Sequence, residues 1–296
     1  MRCLTFTAVL GSAVSAVARA QDVPARDLLD FPIGALAEAP SFASQTGDGL
    51  WNPATIALKP GVRGRGAISA LATPADQGVD AQLLTVAVAL PGRVTSAVSL
   101  VRASVDDILR TDADPQSVGG EVPYATTLVS ASVAQRRDRL SAGLALRYRM
   151  GTSGDRRGNA AAVDGGVVIR DALPGVHLAL SSFLWQPGAK GDEATRYRAA
   201  AELLLLSLDS LRTLRAGYEG TYGGPARGHY LWLAGRLRGF HAHLGLERHD
   251  EYDRHALGLR MSLGLHYARY VVGVGREEND SGLGGVYQFT LSASLP

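Results

Sequence analysis

The sequence has little cysteine, few aromatic residues and almost no excess charge of either sign. Its 296 residues include 1 cysteine, 6% of them are aromatic, and the formal net charge is +2. The lone Cys3 excludes an intramolecular disulfide, and it lies in a segment that we predict is cleaved from the chain. The balance of charge, without a polybasic face, argues against nucleic acid as a partner.

The sequence also lacks an apolar run that would cross a membrane as a helix. The run LLLLSL at 203–208 is far shorter than the about 20 residues that a spanning helix needs. The first twenty residues combine Arg2, a run of apolar and small residues and the site Ala18-Arg19-Ala20. This pattern predicts a signal peptide over residues 1–20. An exported chain without a membrane helix is either a soluble protein or a β-barrel.

Glycine is abundant, with 35 residues, and apolar and polar residues alternate over long stretches. RLSAGLALRYRM at 139–150 places Leu144, Leu146 and Met150 on one parity and Arg147 and Arg149 on the other. A strand points alternate side chains to opposite faces, so this pattern predicts a strand with one apolar face. About fourteen such runs follow residue 60, at 62–73, 80–90, 93–105, 121–135, 139–150, 159–170, 174–186, 194–207, 211–222, 227–237, 239–250, 253–262, 266–276 and 283–295.

The connections between these runs are of two kinds that alternate along the chain. Tight ones include Pro91-Gly92 and Arg238-Gly239. Looser and more polar ones fall at 74–79, 106–120, 151–158, 187–193, 223–226, 250–253 and 277–282. Outer-membrane barrels have short turns at one end and longer loops at the other, and the even strand number is typical of single-chain bacterial barrels.

The predicted fold class is therefore all-β, a transmembrane antiparallel β-barrel of about fourteen strands over residues 61–296. Its apolar parity would face lipid and its charged parity an enclosed interior, because only a closed barrel leaves no unpaired strand edge in hydrocarbon. A soluble antiparallel sandwich also alternates and remains open as an alternative. Residues 21–60 show no period of two and contain five prolines, which indicates an irregular N-terminal segment.

Parity assigns a set of charged and polar side chains to the predicted interior. They are Arg147, Arg149, Asp164, Arg198, Glu202, Arg215, Glu219, His241, His243, Glu247 and Arg260. Two roles are open for them, a structural network across the barrel waist, which we favour, and a selectivity filter. Buried charges need partners in either case.

No catalytic site or metal site is predicted. His241, His243, Glu247 and His249 share one parity, but residues six apart on a strand are about 20 Å apart and do not share one ion unaided. The chain has no nucleophile-elbow motif, and its glycine clusters lack phosphate-loop spacing. We therefore expect no enzyme activity and no cofactor.

The segment GDGLWNPATIAL at 47–58 is the most specific local motif. An aromatic residue followed by Asn-Pro-Ala and apolar residues, just before the first strand, resembles the N-terminal motif of the outer-membrane long-chain fatty-acid transporter (FadL-type) superfamily. It looks especially like the PorV/PorQ branch. The resemblance implies a fourteen-stranded barrel whose N-terminal segment, here residues 21–60, folds into the lumen as a plug. Trp51, Asn52, Pro53 and Ala54 would anchor that plug.

The resemblance also implies a place and a role. It implies the outer membrane of a Gram-negative-type bacterium, with outer-membrane lipid around the barrel. The implied function is passive uptake or binding of a small hydrophobic molecule through the plugged lumen, with exit through a wall opening at a glycine-rich kink. The alternative is a non-transporting scaffold or shuttle of a type IX-like secretion apparatus, whose partners would be proteins of that apparatus.

Overall fold

The chain folds almost entirely into antiparallel strands in a computed structural model that describes residues 23–44, 49–73, 78–106, 108–111, 118–209, 212–223, 226–251, 254–279 and 285–296. The predicted signal peptide lies outside the described residues. The strands are β1 (Gly64–Ala72), β2 (Val79–Leu90), β3 (Val94–Val105), β4 (Leu109–Thr111), β5 (Val118–Glu121), β6 (Tyr124–Arg137), β7 (Leu140–Ser153), β8 (Arg156–Leu173), β9 (Val176–Phe183), β10 (Arg196–Asp209), β11 (Arg212–Gly223), β12 (Ala226–Leu237), β13 (Phe240–Glu251), β14 (Arg254–Tyr267), β15 (Tyr270–Asn279) and β16 (Val286–Leu295).

Fourteen of these strands form one closed barrel, which confirms the predicted fold class and strand number. Each barrel strand pairs with the next barrel strand in the chain, β3 with β6 included, and β16 closes the barrel by pairing with β1 from Gly64↔Leu295 to Ala72↔Tyr287. Closure pairs the first and last strands with each other, so neither ends the sheet as a free edge. The two remaining strands, β4 and β5, form a small separate sheet within the stretch that we expected to be a loose connection.

One end of the barrel, called the short-turn end below, carries the connections β2–β3, β6–β7, β8–β9, β10–β11, β12–β13 and β14–β15. Among their turn residues, Asp138, Arg238 and Ala268 have φ values of 47°, 54° and 53°. This is the left-handed region that tight hairpin turns often require.

Three connections at the opposite end are tighter than predicted. At 151–158, β7 continues to Ser153 and β8 begins at Arg156, so only two residues connect the strands. The connections at 223–226 and 250–253 are equally short. The strict alternation of short and loose connections was therefore wrong, because polar residues continue the ladders of these hairpins, which the composition alone did not distinguish from loops.

Exposure alternates along the strands, as the parity predicts. In β7, Leu144 and Leu146 are 50% and 52% exposed, whereas Ala145 and Arg147 are each 2% exposed. The same outward face on the other strands carries large apolar side chains, among them Leu84, Val98, Leu233, Leu263 and Phe289. Among the described residues, no helix has the length and hydropathy to span a bilayer.

Residues 23–44 and 49–60, called the N-terminal segment below, lead into β1 and contact inward-facing residues around the barrel. Most of their side chains are buried, and the segment includes two short 3₁₀ helices, Asp27–Leu29 and Pro53–Ile56. The hydroxyl of Tyr230 in β12 donates to the carbonyl of Ala37 at 2.7 Å, and Arg149 in β7 donates to that of Val23 at 2.9 Å. The segment therefore lies between opposite parts of the wall.

Candidate functional site

The Trp51-Asn52 pair lies at the centre of the N-terminal segment. The Trp51 indole donates to the carbonyl of Ile33 at 3.1 Å, and its ring lies 5.0 Å from that of Phe183 in β9. The Asn52 side chain accepts a hydrogen bond from the Ala54 amide at 3.0 Å and so caps the 3₁₀ helix. Its amide group donates to the carbonyl of Ser41 at 3.0 Å. The motif thus joins separate parts of the segment.

Pro53 and Ala54 approach the wall where the wall has no side chains. A Cβ atom at Gly143 in β7 would lie 2.5 Å from the Pro53 carbonyl carbon and 2.8 Å from the Ala54 nitrogen. Gly166 in β8 faces the Asn52 side chain at similarly close range. Gly143 is in direct contact with the backbone of the segment, whereas Gly166 is in contact with the Asn52 side chain, and a Cβ at either position would clash.

Arg147 and Asp164 form an ion pair between β7 and β8 beside this motif, and both side chains are fully shielded from solvent. Arg147 also donates to the carbonyl of Leu50 at 2.5 Å. Asp164 accepts from the backbone amide of Trp185 at 3.1 Å. The pair therefore connects the wall with the N-terminal segment and with the chain after β9.

Arg149 pairs with Glu193, which the strand pattern did not predict as an interior residue. Its guanidinium donates to both carboxylate oxygens of Glu193, at 2.5 and 2.6 Å. Arg26 of the N-terminal segment lies 3.6 Å from the same carboxylate. Glu193 belongs to the connection between β9 and β10, so strand parity carried no signal for it. Arg196 and Asp30 form another unforeseen ion pair between wall and segment.

Two further groups of inward charges lie on β10 to β15. Arg198 is 3.7 Å from Glu219, whose other oxygen accepts from the Ser41 amide at 2.9 Å, and its guanidinium lies 4.8 Å from the Trp51 ring centre. Arg260 pairs with Glu247 and, at 3.0 Å, with Glu277. Glu277 is not in the predicted interior set, although it lies on the same inward face of β15 as Gly275. The charges of these two groups are thus paired with one another or with the N-terminal segment.

An apolar cluster fills the lumen at the end opposite the short turns. It joins side chains of the N-terminal segment to inward residues of the wall, namely Leu28, Leu29, Ile33, Leu50, Trp51, Leu71, Leu83, Val101, Leu128, Phe183, Leu184 and Val286. This end of the lumen therefore combines an apolar cluster with the Arg149–Glu193 and Arg196–Asp30 ion pairs, whereas the end toward the short turns is polar.

The remaining predicted residues lie around a cavity of about 440 Å³ toward the short-turn end. Glu202, Arg215, His241 and His243 all line it, and Arg215 donates to Glu202 at 2.9 Å. Lys59, at the end of the N-terminal segment, lines it as well. Partial burial lowers the pKa of Lys59, and Arg236, Arg136, Arg170 and Arg65 lower it further through repulsion.

The wall itself is interrupted beside the apolar cluster. β8 has 18 residues and β9 has 8, and their regular ladder extends only from Gly166↔Ser181 to Ile169↔Leu178, with one further pair near the turn. Beyond it, a single bridge joins Val163 to Trp185. Residues 156–162 of β8 are therefore paired on one side only, by β7.

No metal site is evident in the part of the chain that the structure describes. No group of three or more His, Cys, Asp or Glu side chains there is arranged to hold an ion. His241 stacks on His266 with ring centres 4.5 Å apart, and His243 lies 3.4 Å from the hydroxyl of Ser262. These are contacts between neighbouring strands.

No protein-family model and no curated protein matches this sequence. Among solved structures, CymD, a monoaromatic hydrocarbon channel, is similar at a TM-score of 0.57 and 8% identity, over 89% of this chain and 97% of CymD. A FadL homologue of Pseudomonas aeruginosa is similar at a TM-score of 0.53 and 11% identity, over 88% of this chain and 97% of the homologue. Identities as low as these show a shared fold and nothing more. A relation to the PorV/PorQ branch stays a prediction. The chain therefore has the FadL-like barrel fold that it shares with both proteins.

Proposed function

We propose that this chain is an integral outer-membrane barrel through which a small hydrophobic molecule passes, with the N-terminal segment as its plug. The observation that carries the proposal is the interrupted ladder between β8 and β9, because it places a stretch of wall with little backbone pairing beside the apolar cluster of the lumen. The fold shared with a hydrocarbon channel and a FadL homologue supports it.

The exterior supports a membrane location. Outward Leu, Val, Tyr and Phe side chains cover the strands all around the barrel, as lipid contact requires. In water, so large a continuous apolar surface would drive aggregation. The short-turn end would then face the periplasm and the opposite end the outside, as in other barrels of this kind.

The interruption supports a lateral path. Trp185 stands beside it with 39% of its side chain exposed, whereas the next residue inward, Leu184, is 2% exposed. Phe183 and Trp51 continue this apolar lining toward the N-terminal segment. A hydrophobic molecule entering beside Trp185 would meet the apolar faces of Leu184, Phe183 and Trp51. The guanidinium groups of Arg147 and Arg198 already stack on the two rings.

The contacts between the wall and the N-terminal segment support a plug that moves without unfolding the wall. Wall side chains hold it largely by bonds to its backbone, as Arg147 does at Leu50 and Tyr230 at Ala37. Arg147 and Tyr230 sit on strands whose ladders with their neighbours are continuous. Displacing the segment therefore breaks side-chain contacts and leaves the backbone pairing of the wall intact.

The proposal is tested by closing the interruption with a disulfide. Val163 and Trp185 form an antiparallel bridge, whose Cα spacing suits a disulfide, and replacing both with cysteine would fasten β8 to the chain after β9. Gram-negative cells producing the protein would be exposed to 1-N-phenylnaphthylamine, a hydrophobic dye that fluoresces on reaching lipid. We expect faster dye entry with the wild-type protein, slower entry with V163C/W185C, and recovery after reduction by dithiothreitol.

The matched control is V133C/L144C, which joins β6 to β7 across an uninterrupted ladder. Both of its side chains point outward, as do those of the test pair. The control disulfide should leave dye entry unchanged in oxidised and reduced cells. Equal dye entry through the oxidised and reduced forms of V163C/W185C, with the disulfide verified, would contradict the lateral path.

A further inference from the structure

The cavity near the short-turn end is lined by more cationic than anionic side chains. Five cationic groups line it, Lys59, Arg136, Arg170, Arg215 and Arg236, against three carboxylates, Glu38, Asp171 and Glu202. The cations come from the N-terminal segment and from four different strands, β6, β8, β11 and β12. They therefore surround the cavity instead of forming a stripe along one strand.

One of the carboxylates is already paired with a lining cation. Glu202 accepts from Arg215 at 2.9 Å, whereas Asp171 lies beside the neutral side of the His177 ring, whose Nδ1 accepts from the Asp171 backbone amide at 2.9 Å. Within the described residues, no carboxylate pairs with Lys59, Arg136, Arg170 or Arg236.

The bonds that these cations do make are to neutral groups. Arg170 donates to the Ser141 hydroxyl at 3.0 Å, and Arg236 donates to the carbonyl of Arg238 at 3.4 Å. These four cations differ from the paired charges at the waist of the lumen, where Arg147 and Asp164 neutralise each other. Cationic side chains therefore outnumber carboxylates in the cavity toward the short turns.

Strand parity shows which of these arginine side chains point into the cavity. Arg136 lies on the inward parity of β6 with the buried Ser132 and Ala134, whereas Arg137 points outward. Arg236 lies on the inward parity of β12 with the buried Trp232. The fields of the inward arginines add in the cavity, and this repulsion contributes to the lowered pKa of Lys59.

We propose that this cavity is a binding site for a small organic anion with two or more carboxylate or phosphate groups. Its volume of about 440 Å³ lies within the range of about 300–1,000 Å³ that is usual for small-molecule sites. Guanidinium groups bind such oxyanions through paired, charge-assisted hydrogen bonds, and several of them together prefer a multivalent ligand. The site lies apart from the apolar path beside Trp185, and binding there does not require transport.

The experiment measures binding of citrate and of pyrophosphate to the detergent-solubilised protein by isothermal titration calorimetry. The two probes carry carboxylate and phosphate groups, and acetate is the monovalent reference. We expect saturable binding of at least one multivalent probe, little binding of acetate, and weaker binding as sodium chloride is raised.

The test variant is R136Q/R236Q and the control variant is R137Q/R238Q. Each removes two positive charges from the same end of the barrel, but the test pair faces the cavity and the control pair does not line it. We expect the test pair to weaken binding at least about tenfold and the control pair to change it less than about twofold. If both pairs weaken binding equally, the effect is general charge and the proposal is overturned.

Two further results keep the test decisive. Folding of each variant is checked by heat-dependent mobility on gels. If R136Q/R236Q does not fold, Lys59→Gln, which lies outside the strands, replaces it. Loss of affinity in Lys59→Gln supports the site. Absence of binding by the wild-type protein to citrate and pyrophosphate at about 10 mM, a weak limit for any specific site, would overturn it.

Discussion

Arg147 and Asp164 neutralise each other inside the wall while each also binds a segment outside its own strand. Arg147 donates to the backbone of Leu50 in the N-terminal segment, and Asp164 accepts from the amide of Trp185 after β9. Neither side chain has any solvent contact. The pair therefore holds three parts of the molecule together at the position where the β8–β9 ladder stops, and its removal should affect stability before anything else.

Asp164→Asn should strongly destabilise the barrel. The substitution leaves the buried Arg147 guanidinium without its counter-ion, which typically costs about 3–5 kcal/mol. The free energy of unfolding, measured by denaturant titration in detergent micelles, should fall by that order. Asp171→Asn is the control on the same strand, where the carboxylate is half exposed and a change within about 0.5 kcal/mol is expected. Equal losses of unfolding free energy in the two variants would refute the role of Asp164 as the counter-ion of Arg147.

Gly143→Ala should displace the N-terminal segment. Its new Cβ would lie 2.5 Å from the Pro53 carbonyl carbon, and neither the strand nor the capped 3₁₀ helix can yield without breaking bonds. Overpacking of this kind costs about 1–3 kcal/mol. Limited proteolysis should then cut the N-terminal segment faster than in the wild-type protein.

The control for this substitution is Gly235→Ala in β12, where an added Cβ would meet nothing within 4 Å. Both variants lower the flexibility of a strand glycine, so they differ only in the contact made. Cleavage of the N-terminal segment should stay at the wild-type rate in Gly235→Ala. Equal rates in both variants would mean that the close contact at Pro53 does not hold the segment.

The strand pattern predicted the barrel because lipid-facing and inward-facing residues alternate in the sequence itself. It placed Arg147 and Arg260 on the inward side from parity alone, and both are buried in the structure. It did not predict pairing, because partners such as Arg149 and Glu193 meet through a connection without a repeating pattern. It also treated 174–186 as one strand, whereas β9 ends at Phe183, because apolar Leu184 and Trp185 continue the run after the ladder stops.

Lys59→Gln should stabilise the protein at pH 8. Partial burial and the nearby arginines lower the folded-state pKa of Lys59 below 10.5, so the unfolded chain binds this proton more tightly than the folded protein does. Stability of the wild-type protein therefore rises with pH from that lowered pKa up to 10.5. The advantage of Lys59→Gln should shrink over the same interval in denaturant titrations without multivalent anions. Lys190→Gln, in the connection between β9 and β10 and away from the cavity, is the matched control.

Leu144→Arg should cost far more in a bilayer than Leu173→Arg. Both side chains point outward, 50% and 66% exposed, but Leu144 lies near the middle of β7 whereas Leu173 is the last residue of β8 before a short turn. An outward arginine costs about 2–4 kcal/mol at the bilayer midplane and about 0–1 kcal/mol near the interface. Folding into phospholipid vesicles, followed by denaturant titration, measures both costs. If the two substitutions cost the same, the apolar exterior does not face hydrocarbon and the membrane location proposed for this barrel is wrong.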